Sequence, residues 1–545
     1  MPTVSNSSGS QLSEEKKSKG LILSIDLGTS GPKVGLVDEC GRVICDEFEP
    51  VPIYLLPGGG AEQDPQDWWQ AIVKATRRVL ERCPVQPGEI IAIGCTGQWS
   101  GTVAVGNDGC PLMNAIIWMD TRGAANVRRL VDGPLKVSGY AIGKLLTWVR
   151  LTGGMPTGAG KDSIAHILFI KEEYPEIYKA TNKFLEPIDY LGLVLTGNYA
   201  ASYDSIILHW LTDNRDIRNV KYDERLQSLS GIDRQKLPEL RPPVSVLGDL
   251  LPQAARELGL EHAVPVIIAA PDVHTAAVGA GAVEDYQAHL YIGTSSWLVC
   301  HLPEKRTDVN LGLASLPSAI PSKYLVIAEQ ECAGACLNYL RDQVFFPDDE
   351  LSSGSKPEDA YALFDQIVSD VPAGSERLIF TPWLYGERAP VEDPYVRGGF
   401  INLTLKTNRR HMLRAVYEGV AYNSRWLLDA LEKFTRRKLE PIRMVGGGAK
   451  SAVWCQICAD VLNRTVLQVR DPIQANMSGV AFLAYLALGK MKVEDISACV
   501  QIEQEYRPDP NNRGIYEELF GEYVQLYKSL KPIYARLNRQ EEARE

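Results

Sequence analysis

The chain has 545 residues, of which 45% are hydrophobic and 23% charged, and this length exceeds one ordinary core, so two large globular domains are expected. Its 57 basic and 68 acidic side chains give a net charge of −11, which disfavours nucleic acid and anionic membranes as partners. The 11 cysteines are scattered along a chain in which we recognise no secretion signal, so we expect reduced thiols and a cytoplasmic location.

The first half is predicted to be a mixed α/β domain. Residues 1–19 are polar and are expected to form a disordered tail. From residue 20, GLILSID predicts a strand, LGTSG a tight turn and KVGLVDECGRVICDEF a β-hairpin. PQDWWQAIVKATRRVLERC then shows helical periodicity, and IIAIGCTGQ and GTVAVGND are predicted strands. Because strands alternate with helices, we expect an α/β lobe over residues 20–283.

The second half, residues 284–545, begins in the same way. AHLYIGTSSWLVCHLP repeats the order strand, Gly-Thr-Ser turn, strand, and YLVIAEQ predicts a further strand. Helical periodicity follows in HMLRAVYEGVAYNSRWLLDALEKF, SAVWCQICADVLN and MSGVAFLAYLALG. Two similar beginnings about 265 residues apart indicate a structural duplication, because this period is too long for a solenoid. A terminal amphipathic helix from about Gly514 is expected to pack across both domains.

Each half carries a Gly-Thr-Ser turn after an apolar strand. The residues are Asp26, Gly28, Thr29 and Ser30 in the first half, and Gly293, Thr294 and Ser295 in the second. Consecutive backbone N–H groups beside small side chains can bind a phosphate, and a carboxylate at the strand end can hold Mg²⁺. Lys33 on the next strand is a candidate cation. One such turn is explained equally well as an ordinary hairpin, but its repetition favours phosphate binding.

One segment resembles a Walker phosphate loop without fitting it. In GMPTGAGKDS at 154–163, Met155 stands at the required first glycine and Asp162 at the required Ser or Thr. We therefore interpret the segment as a surface loop.

Three other segments are candidate functional elements. Asp272 follows the apolar run VPVIIAA, where a carboxylate suits a general base, although capping of a helix is an alternative and the two roles are compatible. Gly446–Gly448 separate a predicted strand from a helix, so either a flat ring or sugar lies on bare backbone there or the turn is tight for packing. Glu387 and Arg388 in YGERAP are expected to form an ion pair that fixes an inter-lobe loop.

Together these motifs resemble the FGGY family of carbohydrate kinases, and most nearly its xylulokinase-like branch. The resemblance covers about residues 21–530 and rests on the order of IDLGTSGPK, EQDPQDWW, GQWSG, AIIWMDTRG, FLEPIDYLGLVLTG, PDVHTAAVGAG, YIGTSSW, PWLYGERAP, RAVYEGVAYN and MVGGGAKSAVWCQICADVLN. It implies a two-lobed, duplicated actin/Hsp70-like ATPase fold, which is ribonuclease H-like, with a cleft between the lobes. It also implies ATP-dependent phosphorylation of a sugar or polyol hydroxyl, with D-xylulose or another ketopentose as the first choice of acceptor.

The resemblance further implies the roles of individual residues. Asp272 is the expected catalytic base, and Asp26 is expected to organise Mg²⁺ with Asp272 close to the same metal. The implied ATP-binding residues are Gly28, Thr29, Ser30, Lys33, Gly293, Thr294, Ser295, Gly334, Gly447, Gly448 and Ala449. The residues implied to contact or frame the sugar are Gln98, Trp99, Asp120, Asp272 and His274. The N-terminal lobe would bind the sugar and the C-terminal lobe the nucleotide, and a homodimer is compatible with the sequence.

Four residues depart from the xylulokinase pattern. Val273 follows the base where an amide usually reads sugar hydroxyls, Trp99 and Ser100 replace Met-His, and Ile188 replaces a lysine. His274 offers a compensating polar group, in an order similar to that of ribulokinases. The alternatives are therefore a ribulose or other polyol kinase, or a catalytically inactive sugar- or nucleotide-binding sensor of the same fold.

Overall fold

The computed structural model describes residues 20–86, 88–137, 139–350 and 356–538. The tail predicted at residues 1–19 lies outside them. The strands of the first sheet are β1 (Leu21–Gly28), β2 (Gly31–Val37), β3 (Val43–Phe48), β4 (Ile90–Gly97), β5 (Val246–Asp249), β6 (Pro265–Ile267) and β7 (Ala270–Pro271). Those of the second are β8 (Ala288–Ile292), β9 (Ser296–Leu302), β10 (Thr307–Asp308), β11 (Leu313–Pro317), β12 (Tyr324–Gln330), β13 (Ile442–Val445), β14 (Val466–Val469) and β15 (Ile502–Tyr506).

The helices of the described ranges pack on the two sheets and on one another. They are α1 (Pro65–Arg82), α2 (Ala124–Val131), α3 (Ile142–Leu151), α4 (Ser163–Glu173), α5 (Pro175–Ala180), α6 (Pro187–Thr196), α7 (Glu224–Ser230), α8 (Pro252–Leu258), α9 (Asp272–Gly279), α10 (Gly334–Tyr339), α11 (Ala360–Ser369), α12 (Arg409–Thr435), α13 (Ala452–Leu462), α14 (Ala475–Ala487), α15 (Val493–Cys499) and α16 (Arg513–Asn538). Within the described ranges, none of these helices has the length and apolar character needed to cross a membrane.

The two sheets share one topology. The first runs β5-β6-β4-β1-β2-β3, with β7 beside β4, and the second runs β15-β14-β13-β8-β9-β12-β11-β10. In the first sheet, antiparallel β1, β2 and β3 continue through parallel β4 and β6 to the antiparallel edge strand β5. Strands β8, β9, β12, β13, β14 and β15 repeat this order and these directions. The predicted duplication and the two-lobed α/β fold are therefore confirmed strand by strand.

Local sequence explains the main elements. Helix α1 begins where Asp64 accepts a hydrogen bond from the backbone N–H of Gln66 and Pro65 occupies the first turn, as expected at a helix start. Its apolar stripe, with Trp68 and Ile72 fully buried, covers the first sheet. The predicted strand in GTVAVGND is present, and two details of the strand layout go beyond the predictions. Val103–Val105 pairs outside the main sheet, and the run before Asp272 is divided into β6 and β7.

Helices α9 and α14 join the two halves. Helix α14 follows β14 but packs on the first sheet, where Met477 and Ala481 lie in one buried cluster with Ile22. Helix α9 follows β7, and its Ala276 packs in a cluster with Val299 of the second sheet. Each half therefore contributes a helix to the interface with the other, and the crossing of these helices sets the separation of the lobes.

The terminal helix α16 is amphipathic, as predicted, but its expected packing is wrong. Its buried residues Tyr516, Leu519 and Tyr523 belong to the core of the second half. The Tyr523 hydroxyl donates to Asn423 of α12 at 2.8 Å. Because α12 and α13 already present a matching apolar surface, α16 completes the C-terminal lobe and does not bridge the two.

Candidate active site

Asp26 and Asp272 lie on either side of strand β4, at its carboxyl end. Asp26 of β1 is paired with Thr96 of β4, and Ala270 of β7 is paired with the same threonine from the other side. Because neighbouring strands lie about 4.8 Å apart, the backbones carrying the two aspartates are separated by about 10 Å. The sheet therefore brings together two acids from distant parts of the chain.

Both carboxyl groups have raised pKa values. The pKa of Asp272 is raised to about 8, mainly because burial penalises its charged form and secondarily because Asp26 carries a like charge. Burial also raises the pKa of Asp26, which is opposed by Lys33 and by a hydrogen bond from Asn476 of α14. The site thus holds two carboxyl groups with little compensating charge, and a divalent cation stabilises such a pair.

Asp272 is the first residue of α9, and Pro271 is the N-cap. The interpretation of Asp272 as the cap itself is therefore wrong. Its carboxylate nevertheless accepts a hydrogen bond from the backbone N–H of Val273 at 2.8 Å. The first helical turn orients the carboxylate, while the Val273 side chain is buried in the apolar core and contributes no polar group.

The first Gly-Thr-Ser turn joins β1 to β2 and is held from its sides. The indole N–H of Trp118 donates to the Thr29 hydroxyl at 3.0 Å, and the amide of Gln63 donates to the Thr29 carbonyl at 2.8 Å. Ser30 at the tip is exposed. Gly31 has a φ of 144°, and a Cβ there would lie 2.0 Å from the Glu49 carbonyl oxygen, so only glycine fits.

The second turn joins β8 to β9 and contacts the start of α10. The backbone N–H of Gly334 donates to the Gly293 carbonyl at 2.8 Å, and those of Ala333 and Ala335 donate to the Thr294 carbonyl at 2.9 and 3.1 Å. A Cβ on Gly334 would lie 2.5 Å from the Gly293 oxygen. Glycine is therefore required for this close approach of the helix to the turn.

The triple-glycine turn lies beside the second Gly-Thr-Ser turn. A Cβ on Gly446 would lie 2.5 Å from the carbonyl oxygen of Ile292, the residue directly before Gly293. Gly447 is exposed and faces open space, whereas Gly448 and Ala449 are buried. The structure therefore places the Gly293–Ser295 turn beside both Gly334 and the triple-glycine turn, and within the triple-glycine segment it leaves Gly447 as the position open to a ligand.

Gln98, the residue directly after β4, is buried and has a side-chain oxygen with no hydrogen-bond partner among the described residues. It is 3% exposed, and its amide group donates to Gln63 at 2.7 Å. Its Oε1 has no hydrogen-bond partner among the described residues. An unsatisfied buried oxygen is costly, so this atom is a candidate acceptor for a ligand hydroxyl.

Trp99 and His274 pack against each other beside Gln98. Their ring centroids are 5.5 Å apart at 86°, and the Trp99 indole N–H donates to the Ser205 carbonyl at 2.8 Å. His274 accepts a hydrogen bond at Nδ1 from the Ala319 N–H at 3.1 Å, which places its proton on Nε2. Burial lowers the pKa of His274 to about 3, so the ring is neutral, and its buried Nε2 has no partner within the described residues.

Asp120 is fully buried and is occupied by structural partners. Its carboxylate accepts hydrogen bonds from the Ala61 N–H at 2.9 Å and from the Arg122 backbone and side chain at 2.9 Å each. Arg122 also pairs with Glu62 at 2.7 Å. These partners suit Asp120 to framing the site, and its contact with a sugar stays a prediction.

Sequence reasoning missed an ionic cluster on the second lobe. Arg388 pairs with Glu329 and with Glu331, the latter at 3.1 Å. The expected pair of Glu387 with Arg388 is wrong, because Glu387 accepts from the Asn423 amide at 2.6 Å. Residues two apart on a strand share a face, and this spacing of Glu329 and Glu331 was the available signal.

The acids fit a magnesium ion held jointly with phosphate. No group of three or more His, Cys, Asp or Glu side chains arranged to hold a metal occurs in the part of the chain that the structure describes. Mg²⁺ is commonly bound by one or two carboxylates together with water and substrate phosphates. Asp26 and Asp272 match that donor set, and burial raises the pKa of both carboxyl groups, so a bound cation would stabilise their charged forms.

Comparisons with known proteins identify the relatives of this chain. Models of the N- and C-terminal domains of the FGGY family of carbohydrate kinases match residues 21–279 and 288–488. A xylulose kinase of Staphylococcus epidermidis is 28% identical over 527 residues, covering 95% of this chain and 99% of that protein. A gluconokinase of Bacillus subtilis is 27% identical over 520 residues, with 95% of each chain covered. The structures of a gluconate kinase and a xylulose kinase of Lactobacillus acidophilus each match with a TM-score of 0.82 and 25% identity, over 95% of this chain and 100% of theirs.

Proposed function

Because the chain belongs to the FGGY family of carbohydrate kinases, we propose that it transfers the γ-phosphoryl group of ATP to a hydroxyl of a ketopentose such as D-xylulose. The observation that carries the proposal is the placement of Asp26 and Asp272 on either side of the carboxyl end of β4, with Asp26 on the strand that leads into the first Gly-Thr-Ser turn. D-gluconate is the second candidate acceptor, because relatives named for gluconate match about as well as those named for xylulose.

In the proposed reaction, Asp272 accepts the proton of the acceptor hydroxyl. The hydroxyl oxygen forms a bond to the γ-phosphorus while the bond to the β–γ bridging oxygen breaks, which releases ADP. Charge accumulates on the phosphoryl oxygens, so positioned amides contribute more than covalent chemistry. The amides of the turns at Gly28–Ser30 and Gly293–Ser295 are suited to this role, with Lys33 as a nearby cation.

We assign a magnesium ion to Asp26 and, directly or through water, to Asp272. When bound, Mg²⁺ neutralises charge on the phosphate oxygens. For the acceptor we assign the free Oε1 of Gln98 as a hydrogen-bond acceptor and the Trp99 and His274 rings as the wall of the site. We place the sugar lobe at residues 20–283 and the nucleotide lobe at 284–545.

The proposal is tested by an acceptor screen that follows ADP formation. D-xylulose, D-gluconate, D- and L-ribulose, erythritol and glycerol are supplied one at a time with ATP and Mg²⁺. We expect at least one acceptor to raise ADP formation above the acceptor-free rate. If none does while ATP binds, the sensor interpretation replaces the kinase proposal.

Two variants refine the screen. Asp272→Asn is expected to lower acceptor-dependent turnover by about 10²- to 10⁴-fold without weakening ATP binding. The matched control is Asp285→Asn. Asp285 is an exposed acid away from the cleft, and its carboxylate pairs with Lys323 at 2.8 Å. This variant is expected to behave as wild type. Equal turnover in Asp272→Asn and wild type removes Asp272 from the role of base.

A further inference from the structure

Lys161, in the loop at 154–163, lies between the two halves of the molecule. The segment precedes α4 as a loop, as predicted, but the side chain of Lys161 is only 14% exposed, so its interpretation as a surface loop fails at this residue. The Lys161 carbonyl accepts a hydrogen bond from the Ser100 hydroxyl at 2.6 Å. The loop is therefore anchored to the GQWSG segment, beside Gln98 and Trp99.

The ammonium group of Lys161 contacts both halves of the molecule. It lies 3.2 Å from Glu331, whose side chain is 11% exposed, and 5.3 Å from the centre of the Tyr385 ring. Both partners belong to the second half. On its own half, the ammonium lies 6.0 Å from the Trp118 ring. Because the pair is largely shielded from water, removal of either partner leaves a poorly solvated charge, so the contact links the two lobes.

Two of the residues that Lys161 contacts, Trp118 and Glu331, are each connected to one Gly-Thr-Ser turn. Trp118 donates its indole N–H to the Thr29 hydroxyl of the first turn at 3.0 Å. Glu331 lies in the segment that leads into Ala333, whose N–H donates to the Thr294 carbonyl of the second turn at 2.9 Å. Contacts therefore lead from the first turn through Trp118 to Lys161, and from Lys161 through Glu331 to the second turn.

We propose that Lys161 is a positioning residue of phosphoryl transfer, which holds the two phosphate turns at the separation seen in this structure by bridging Trp118 and Glu331. This inference rests on the proposed kinase function. A small displacement of reacting groups lowers the rate strongly. A loosened cleft also admits water, whose oxygen then bonds to the γ-phosphorus as ADP leaves, with its proton passing to Asp272.

A second lysine, Lys305, also contacts the opposite lobe and serves as a matched control for Lys161. Lys305 in the second half donates to the carbonyls of Val149 and Arg150 in the first, at 2.9 and 2.6 Å. Neither acceptor is among the residues that contact the phosphate turns. Lys305→Met therefore removes an inter-lobe contact of similar kind without touching the path through Trp118 and Glu331.

The kinetic test compares Lys161→Met, Lys161→Arg, Glu331→Gln and Lys305→Met with wild type. Each is assayed for kcat, for KM of ATP and of the acceptor that the screen identifies, and for phosphorylated product per ATP consumed. We expect Lys161→Met to lower kcat by about 10- to 100-fold and to lower the product yield per ATP. Lys161→Arg should restore most of both, and Lys305→Met should keep the wild-type yield.

Two further kinetic outcomes decide the role. Glu331→Gln, which also weakens the pair of Glu331 with Arg388, should lower kcat and yield at least as far as Lys161→Met, and the double variant should lose less than the sum of the two single losses, because both remove the contact between Lys161 and Glu331. A wild-type kcat and yield in Lys161→Met would overturn the proposal, as would an equal loss of yield in Lys305→Met.

A second measurement needs no acceptor. Backbone hydrogen exchange of peptides containing residues 28–31 and 293–296 is compared in wild type, Lys161→Met and Lys305→Met with Mg²⁺ and ATP present. Faster exchange of both turns in Lys161→Met alone supports the positioning role, and unchanged exchange rejects it. This readout stands even if no acceptor is phosphorylated, so failure of the kinase proposal and failure of the Lys161 proposal are distinguishable.

Discussion

Gly279 of α9 approaches Ala475 of α14 so closely that a Cβ on the glycine would lie 1.8 Å from the Ala475 carbonyl oxygen. The contact is reciprocal. A Cβ on Gly479 of α14 would lie 2.0 Å from the carbonyl oxygen of Thr275 in α9. Real atoms do not come this near, and the obstacle in both cases is backbone, which no rotamer change can move. The separation of the lobes where α9 crosses α14 is therefore set by Gly279 and Gly479.

Gly479→Ala is predicted to destabilise the protein and lower kcat. The added methyl group must push α9 and α14 apart, and overpacking of this kind costs about 1–3 kcal/mol. Thermal unfolding and turnover measure the two effects. The control is Gly521→Ala in α16, where the Cβ meets nothing within 4 Å. This variant should be neutral or about 1 kcal/mol more stable, because alanine favours helix. Similar behaviour of the two variants would contradict the close crossing.

Gly447→Ala is predicted to weaken ATP binding without loss of stability. A Cβ at Gly447 meets no atom within 4 Å, so the fold accommodates it, but a nucleotide lying on the bare backbone does not. A tenfold rise in the Kd of ATP corresponds to about 1.4 kcal/mol and is the size expected for such a contact. Titration calorimetry and a melting curve measure the two quantities.

The control for this variant is Gly143→Ala in α3, which also meets open space. It should leave ATP affinity unchanged. If Gly447→Ala binds ATP as tightly as Gly143→Ala, the adenosine lies elsewhere.

The parts of the fold that the sequence predicted depend on local patterns. The strand, turn and strand at β1–β2 and at β8–β9 follow from apolar runs interrupted by Gly-Thr-Ser, and the helices α1, α12, α13 and α14 follow from their apolar spacing. The proximity of Asp26 and Asp272 was expected from the family resemblance, and its physical cause is the pairing of Asp26 and of Ala270 with Thr96 from opposite sides of β4. The roles of the site residues remain predictions.

The features that the sequence did not predict depend on how segments distant in the chain pack against each other. Glu387 and Arg388 are neighbours in sequence, yet their side chains bind different partners, Asn423 and Glu331. Nothing within the loop at 154–163 indicates that Lys161 meets an acid 170 residues away. The position of α16 likewise depends on which apolar faces remain uncovered once α12 and α13 have packed. Periodicity identifies such a face but not the surface it covers.

Asp26→Asn is predicted to raise the Mg²⁺ concentration needed for half-maximal turnover by about tenfold, the effect of losing about 1.4 kcal/mol of binding. The amide keeps the size of the side chain and removes the charge that attracts the cation. Initial rates over a magnesium titration measure the shift. Asp108→Asn, at an exposed turn, serves as the control and should give the wild-type curve. A magnesium dependence in Asp26→Asn that equals this control would remove Asp26 from the metal site.

Glu186→Gln is predicted to change how stability depends on pH. Glu186 is fully buried, and burial raises its pKa to about 8 despite hydrogen bonds from Ser163 and from the Gly101 N–H. The nearby acid Asp162 raises that pKa further. His209, 3.6 Å away, supplies no positive charge because burial lowers its pKa to about 3. The folded protein therefore keeps a proton on Glu186 that the unfolded chain releases above its ordinary pKa.

The sign of the effect follows from this difference in bound protons. Between the ordinary carboxyl pKa and about pH 8, the unfolded state binds fewer protons at this position, so the stability contributed by Glu186 falls as pH rises, by about 1.4 kcal/mol per pH unit for one proton. Glutamine has no proton to release, so the variant lacks this slope. Urea unfolding at about pH 5.5 and 7.5 should show the variant gaining about 2–3 kcal/mol relative to wild type at the higher pH. Parallel pH profiles for the two proteins would mean that Glu186 is ionised in the folded state, with a partner that stabilises its charge.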